Sequence, residues 1–150
     1  MIIINKINFK HDKSTHSYWA SFSDKKSCAI VFYEEKDDRQ YDIVYSVAFG
    51  VGNSRKQILN WALNDKRYIK DQITGDGNLK YLLFAYNSII QFEQYIKEKY
   101  PCKNILMSIG AEDEKRWKVY NYYLKKIGYT ESEFNSIYKF STNDKMYKII

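Results

Sequence analysis

Apolar residues follow two regimes along this chain. Up to Gly50 they form short runs separated by polar turns, and from Ser54 onward most recur at helical spacing. The first regime predicts four strands. Met1–Phe9 carries Ile2, Ile3, Ile4 and Ile7. After the polar turn His11–Thr15, Ser17–Ser23 sets Tyr18, Ala20 and Phe22 against smaller or polar neighbours, Trp19 excepted. Asp24-Lys25-Lys26 turns the chain into Ser27–Tyr33, whose middle is an almost unbroken apolar run. The charged tip Glu34–Arg39 then leads to a fourth strand, Tyr41–Phe49. Short polar connections between successive strands imply an antiparallel meander.

Gly50, Gly52 and Asn53 end this pattern, and Ser54 is placed as the N-cap of a helix holding Ile58, Leu59, Trp61, Ala62 and Leu63. Gln72–Tyr100 is the stretch around which the chain is organised. Gly75 and Gly77 lead into a long helix with Asn78 as N-cap and an expected buried stripe of Leu79, Leu82, Leu83, Tyr86, Ile89, Ile90 and Ile96. Tyr100-Pro101 stops it, because the residue before proline resists helical dihedrals. Lys103–Ile109 reads as a fifth strand. A helix from Asp113 or Glu114 follows, facing a sheet through Trp117, Tyr120, Leu124 and Ile127, with Gly128 as its C′ residue. Phe134–Phe140 and Lys145–Ile150 complete the strands. The fold class expected is α+β, one domain over 1–150, with a central, mainly antiparallel twisted sheet flanked by helices.

Composition narrows the function classes. Residues 1–50 carry seven charges of each sign, whereas 51–100 hold eight basic against five acidic and 101–150 nine against six. The mild positive field of the later thirds suits a phosphorylated ligand, a nucleic acid or an acidic protein, and because it is not a dense basic patch nucleic-acid binding is the weakest of these readings. Cys28 and Cys102 stand alone, with no CxxC and no nearby histidine, so neither a disulfide framework nor a metal site is expected. The apolar start is too short for a signal peptide and no segment is long enough to span a bilayer, which points to the cytoplasm.

The chemistry-bearing stretch is the glycine loop. Backbone N–H groups at a helix start, reinforced by the helix dipole, form an anion site for which phosphate is the usual guest. Gln72-Ile73-Thr74-Gly75-Asp76-Gly77 resembles the Q/R-x-x-G-x-G/A loop of the GNAT superfamily of N-acetyltransferases. Leu124-Lys125-Lys126-Ile127-Gly128-Tyr129 is similar to the late Tyr-x-x-x-Gly-Phe region of that family. A closer likeness, carried by Thr74-Gly75-Asp76-Gly77, Leu82–Ile90, Pro101 and Arg116…Tyr120, is to acetyltransferase-like domains of bacteriophage proteins.

The resemblance implies an acyl-CoA N-acyltransferase (GNAT)-like fold with acetyl-CoA as the acyl donor and an amine as acceptor. Gln72, Thr74, Gly75, Asp76, Gly77 and Asn78 would hold the pyrophosphate. The strand around Val47 and Phe49 would offer a main-chain N–H to the thioester carbonyl, and Tyr120 or Tyr123 would protonate the leaving thiolate. The chain departs from the family pattern at Leu124, which stands where the family tyrosine belongs, and at Asp76, a carboxylate inside a loop meant for phosphate. For a general base the sequence offers only Asp42, Glu34, Glu35 and Glu112, with His11 and His16 on an early turn. The alternative is a catalytically inactive phage protein of this fold that binds a host or virion protein, located in the host cytoplasm or the virion.

Overall fold

The computed structural model describes residues 5–7, 15–35, 41–63, 79–110, 114–131 and 145–149. In chain order the elements are β1 (Asn5–Ile7), β2 (Thr15–Ser21), β3 (Ser27–Glu35), β4 (Ile43–Gly52), α1 (Arg55–Leu63), α2 (Leu79–Lys99), β5 (Ile105–Gly110), α3 (Glu114–Lys125), β6 (Thr130–Glu131) and β7 (Lys145–Ile149). The class is α+β, and the strands pair in mixed orientation with helices beside them. The chain forms two compact units, Met1–Tyr33 with Ala48–Phe92, and Glu34–Val47 with Glu93–Ile150. The expected strand Phe134–Phe140 lies outside the described residues.

In the first unit the strand order is β1-β2-β3-β4, and β2 is antiparallel to both β1 and β3. The β2–β3 hairpin closes as its charged turn predicts. Phe22 N–H donates to the Lys26 carbonyl at 2.9 Å, Asp24 Oδ1 accepts the Lys26 N–H at 3.0 Å, and Lys25 takes a positive φ of 70°. The apolar run of β3 is explained by burial on both faces. Ala29, Val31 and Tyr33 pack with Ile58 and Ala62 of α1, joined by Trp19, Ala48, Leu59 and Trp61. On the opposite face Phe32 stacks on Phe92 of α2, with ring centroids 3.9 Å apart. Gly50 lies against Trp61 so closely that a Cβ there would meet the indole at 3.0 Å.

Both helices of this unit start where local chemistry allows. Ser54 caps α1 through its Oγ, which accepts the Gln57 N–H at 3.1 Å, while Gln57 Oε1 accepts the Asn53 N–H at 2.6 Å, close to a capping box. Helix α2 begins at Leu79, directly after Asn78. Its buried face matches the expected stripe in part: Ile89 and Ile96 are buried and Leu82, Tyr86 and Ile90 half-buried, but Leu79 and Leu83 are exposed and Tyr81, Phe84, Ser88 and Phe92 are buried in addition. The helix is apolar on more than one side at Leu82-Leu83-Phe84, so spacing alone misplaces the stripe in its first turns.

In the second unit the strand order is β4-β5-β7-β6. Asp42 ties the start of β4 to that of β5, its Oδ2 accepting the Asn104 N–H at 2.8 Å and its own N–H donating to the Asn104 carbonyl at 2.9 Å. Strands β4 and β5 run parallel, and β7 is antiparallel to β5 and β6. Helix α3 ends in a Schellman motif. Tyr129 N–H reaches the Leu124 carbonyl at 3.1 Å, Gly128 N–H reaches Lys125 at 3.2 Å, and Gly128 takes φ +97°, as its C′ placement requires. Leu124 and Tyr129, the residues that flank this motif, are both buried.

Candidate functional site

Of the expected phosphate-binding residues, Gln72, Thr74, Gly75, Asp76, Gly77 and Asn78 all lie outside the described residues. What is described of that region is the first turn of α2. It carries no acidic residue, and its Lys80 is paired with Asp24 of the β2–β3 turn at 2.7 Å. Asp24 also accepts a short hydrogen bond from the Tyr81 hydroxyl. The Lys80 contact, then the Tyr81 bond, hold the Asp24 carboxyl well below the usual carboxylate range. The hairpin turn is thereby fastened to the first turn of the helix.

At the second expected position, the β4–β5 ladder is short. It pairs Ile43 with Ile105, Val44 with Leu106, Tyr45 with Met107 and Ser46 with Ser108, and stops there although β4 runs on to Gly52 and β5 to Gly110. Val47 is the first β4 residue past the ladder and is half-buried. Phe49 belongs to the first unit, where its ring lies 6.4 Å from that of Phe84. Next to the ladder, Tyr45 is buried. Burial first, then the charge of Glu34 and the neighbouring phenols Tyr100 and Tyr95, push its phenol far above the ordinary tyrosine value. Tyr45 is therefore a neutral packing residue at any physiological pH.

The two tyrosines proposed as acids lie on α3. Tyr120 falls in mid-helix, with its side chain outside the described residues. Tyr123 is half-buried, its ring 5.1 Å from that of Tyr122 and 5.6 Å from the Lys126 ammonium. Of the carboxylates weighed as bases, Asp42 is engaged with Asn104, Glu34 is half-buried at the end of β3, the Glu35 side chain is not described and Glu112 lies outside the described residues. His16 packs edge-on against Tyr18 and tilted against Phe92, with centroids 4.9 and 5.2 Å away, and His11 lies outside the described residues. No group of three metal-ligating side chains occurs among the described residues.

The structure also assembles a polar cluster that the sequence reading missed. Glu93, buried on α2, accepts from the Tyr129 hydroxyl at 2.8 Å through Oε1 and from the Lys148 ammonium at 2.9 Å through Oε2. Lys148 also donates to the Ile127 carbonyl at 2.6 Å, satisfying an orphan group at the end of α3. Burial, then the Glu93 charge and hydrogen bond, raise the Tyr129 phenol well above its ordinary value. The cluster is charge-balanced and internally satisfied, which suits it to holding elements together rather than moving protons. Its signal was present in the sequence: Glu93 stands at i+4 from Ile89 and i−3 from Ile96, inside the apolar stripe.

Two further features bear on chemistry. Cys28 is buried with its thiol pushed far up, chiefly by desolvation, and is inert as a nucleophile. No helix among the described residues is long and apolar enough to cross a membrane. Comparison with protein-family models, curated proteins and solved structures yields no match.

Proposed function

We propose that this chain is an acetyltransferase-like protein of GNAT-type fold that takes acetyl-CoA as acyl donor and an amine as acceptor. The observation that carries the reading is the parallel β4–β5 ladder that stops at Ser46 and Ser108 while both strands continue. Main-chain groups released from a ladder at Val47 are suited to polarising a thioester carbonyl. The beginning of α2 at Leu79, immediately after Gly75-Asp76-Gly77-Asn78, supports the phosphate half of the proposal. In the reaction the amine nitrogen bonds to the acyl carbon as the C–S bond breaks. The nitrogen gives up a proton to solvent, and the leaving thiolate takes one from Tyr123 or Tyr120.

A second reading has its own support. Asp42, weighed as a base, is engaged with Asn104, and Leu124 stands where the family tyrosine belongs. That favours a catalytically inactive protein of the same fold, of the phage type, acting by binding a host or virion protein.

Calorimetric titration with acetyl-CoA separates the two. The first reading expects saturable binding that is lost in Gly75→Trp and Gly77→Trp, and acetyl transfer to a polyamine or peptide amine panel. Absence of heat and of any thermal shift at millimolar acetyl-CoA overturns it. Binding without transfer to any acceptor leaves the second reading in place.

A further inference from the structure

We infer that Asp24 is a positioning residue for the acyl donor: from the β2–β3 turn it fixes the first turn of α2, whose main-chain N–H groups meet the donor's diphosphate. This rests on the acetyl-CoA reading above, and it assigns a part in donor binding to a turn far from the glycine loop in sequence.

Three donors converge on the Asp24 carboxylate. Oδ1 accepts the Lys26 N–H at 3.0 Å, which ties it to its own turn. Oδ2 accepts from the Lys80 ammonium at 2.7 Å and from the Tyr81 hydroxyl, which ties it to the helix. An aromatic contact lies beside these bonds. The Phe22 ring stands edge-on to Tyr81 at 5.1 Å and to Phe84 at 6.4 Å. The turn itself is held in an uncommon shape, with Lys25 at φ 70°, where residues bearing a Cβ are seldom found.

Formation of the helix does not require this arrangement. Helix α2 has 21 residues and buries Phe84, Ile89, Phe92 and Ile96, and burial of an apolar face is what sustains a helix in a folded chain. The Lys80–Asp24 pair, with both side chains one-third exposed, contributes little by itself. What the tie governs is the helix end, the part of a helix that frays. The first turn has no carboxylate of its own, and Asp24 bonds its side chains rather than its main chain. The leading N–H groups, which no helical carbonyl can satisfy, are thereby held in direction and left as donors for an anion. Such donors work only when held within about 0.5 Å of the productive geometry, so a fraying first turn loses affinity.

The sign of one substitution tests this. Asp24→Asn removes a negative charge, so a purely electrostatic role predicts tighter binding of the anionic donor, whereas lost positioning predicts weaker binding. In calorimetric titration of the full-length chain with acetyl-CoA, Asp24→Asn should raise Kd by about fivefold or more, and Tyr81→Phe, which changes no charge, by about twofold. Hydrogen exchange at the Leu83–Tyr86 amides, whose helical acceptors are the carbonyls of the first turn, should quicken by about tenfold in Asp24→Asn. Ser54→Ala, which weakens α1 instead, should leave Kd unchanged. If the unaltered chain binds no acetyl-CoA, the donor reading and this inference fall together. If it binds, the inference alone is overturned by equal or tighter binding in Asp24→Asn, by unchanged exchange at Leu83–Tyr86, or by an equal loss of affinity in Ser54→Ala.

Discussion

Replacing Tyr129 with phenylalanine tests whether the Glu93 cluster holds the second unit together. The substitution removes one hydroxyl and leaves the ring, which is buried, so the apolar packing is preserved. What is lost is a 2.8 Å hydrogen bond to a buried carboxylate. Bonds to charged groups contribute about 1.5–3 kcal/mol, so a loss of about 2 kcal/mol is expected. For a chain of this size that corresponds to a fall of roughly 4–8 °C in Tm. Glu93→Ala should cost more, about 3–5 kcal/mol, because among the described residues it leaves Lys148 with the Ile127 carbonyl alone and removes the acceptor of the Tyr129 phenol at the same time. The two losses should not add: in a Tyr129→Phe/Glu93→Ala cycle the coupling should be about 1–2 kcal/mol. Urea unfolding at neutral pH, followed by far-UV circular dichroism, measures all of these. The pH dependence supplies an independent sign. A phenol whose folded value is raised stabilises fully below its unfolded value near ~10 and loses that contribution as pH climbs through the folded value. Stability should therefore fall in alkali, and Tyr129→Phe should flatten that fall. A change below about 0.5 kcal/mol in Tyr129→Phe, or strict additivity in the cycle, refutes the account.

Three further outcomes are expected. Gly128→Ala should lose about 1–2 kcal/mol in thermal denaturation, since φ +97° is costly for any residue with a Cβ and the Lys148 side chain lies 3.3 Å from where that Cβ would stand. Ser54→Ala should lose about 1 kcal/mol by removing the acceptor of the Gln57 N–H, while Ser54→Asp should retain most of it. Asp24, held low by Lys80 and Tyr81, stabilises above its unfolded pKa and loses that contribution as pH falls through the folded one. Carboxyl chemical shifts followed through an acid titration should therefore show Asp24 protonating below the ordinary aspartate range, and Lys80→Met should bring its midpoint back up.

Much of the architecture was legible because it is local. The unbroken run of β3, the Ser54 cap, the Pro101 stop and the Gly128 turn each depend on neighbours a few residues away, and each stands as read, whereas β2 runs Thr15–Ser21 with Ser17 buried beside Tyr18, so its expected alternation holds only in part. The first turns of the buried face of α2 do not stand as read, because Leu79 and Leu83 satisfy helical spacing as well as Tyr81 and Phe84 do, while Ile89 and Ile96 further along are buried as read. Only the position of the sheet decides which set is covered. Glu93 shows locally as a carboxylate inside the apolar stripe, but its partners lie 36 and 55 residues further along, and no local pattern announces a pairing at that distance. The candidate site divides the same way. The β4–β5 pairing stops at Ser46 and Ser108, one residue before Val47, and the glycine loop from Gln72 to Asn78 lies outside the described residues.

The two-sided cover of β3 carries a consequence for synthesis. The meander emerges from the ribosome first, while the helices that shield its two faces are encoded later, the second of them through Phe92. At ~5–20 residues per second, the Val31 face waits about thirty residues for Ala62, roughly 1.5–6 s, and the Phe32 face about sixty residues for Phe92, roughly 3–12 s. A nascent chain early in that window exposes an apolar ribbon on both sides, the stage at which slowed translation would do most harm.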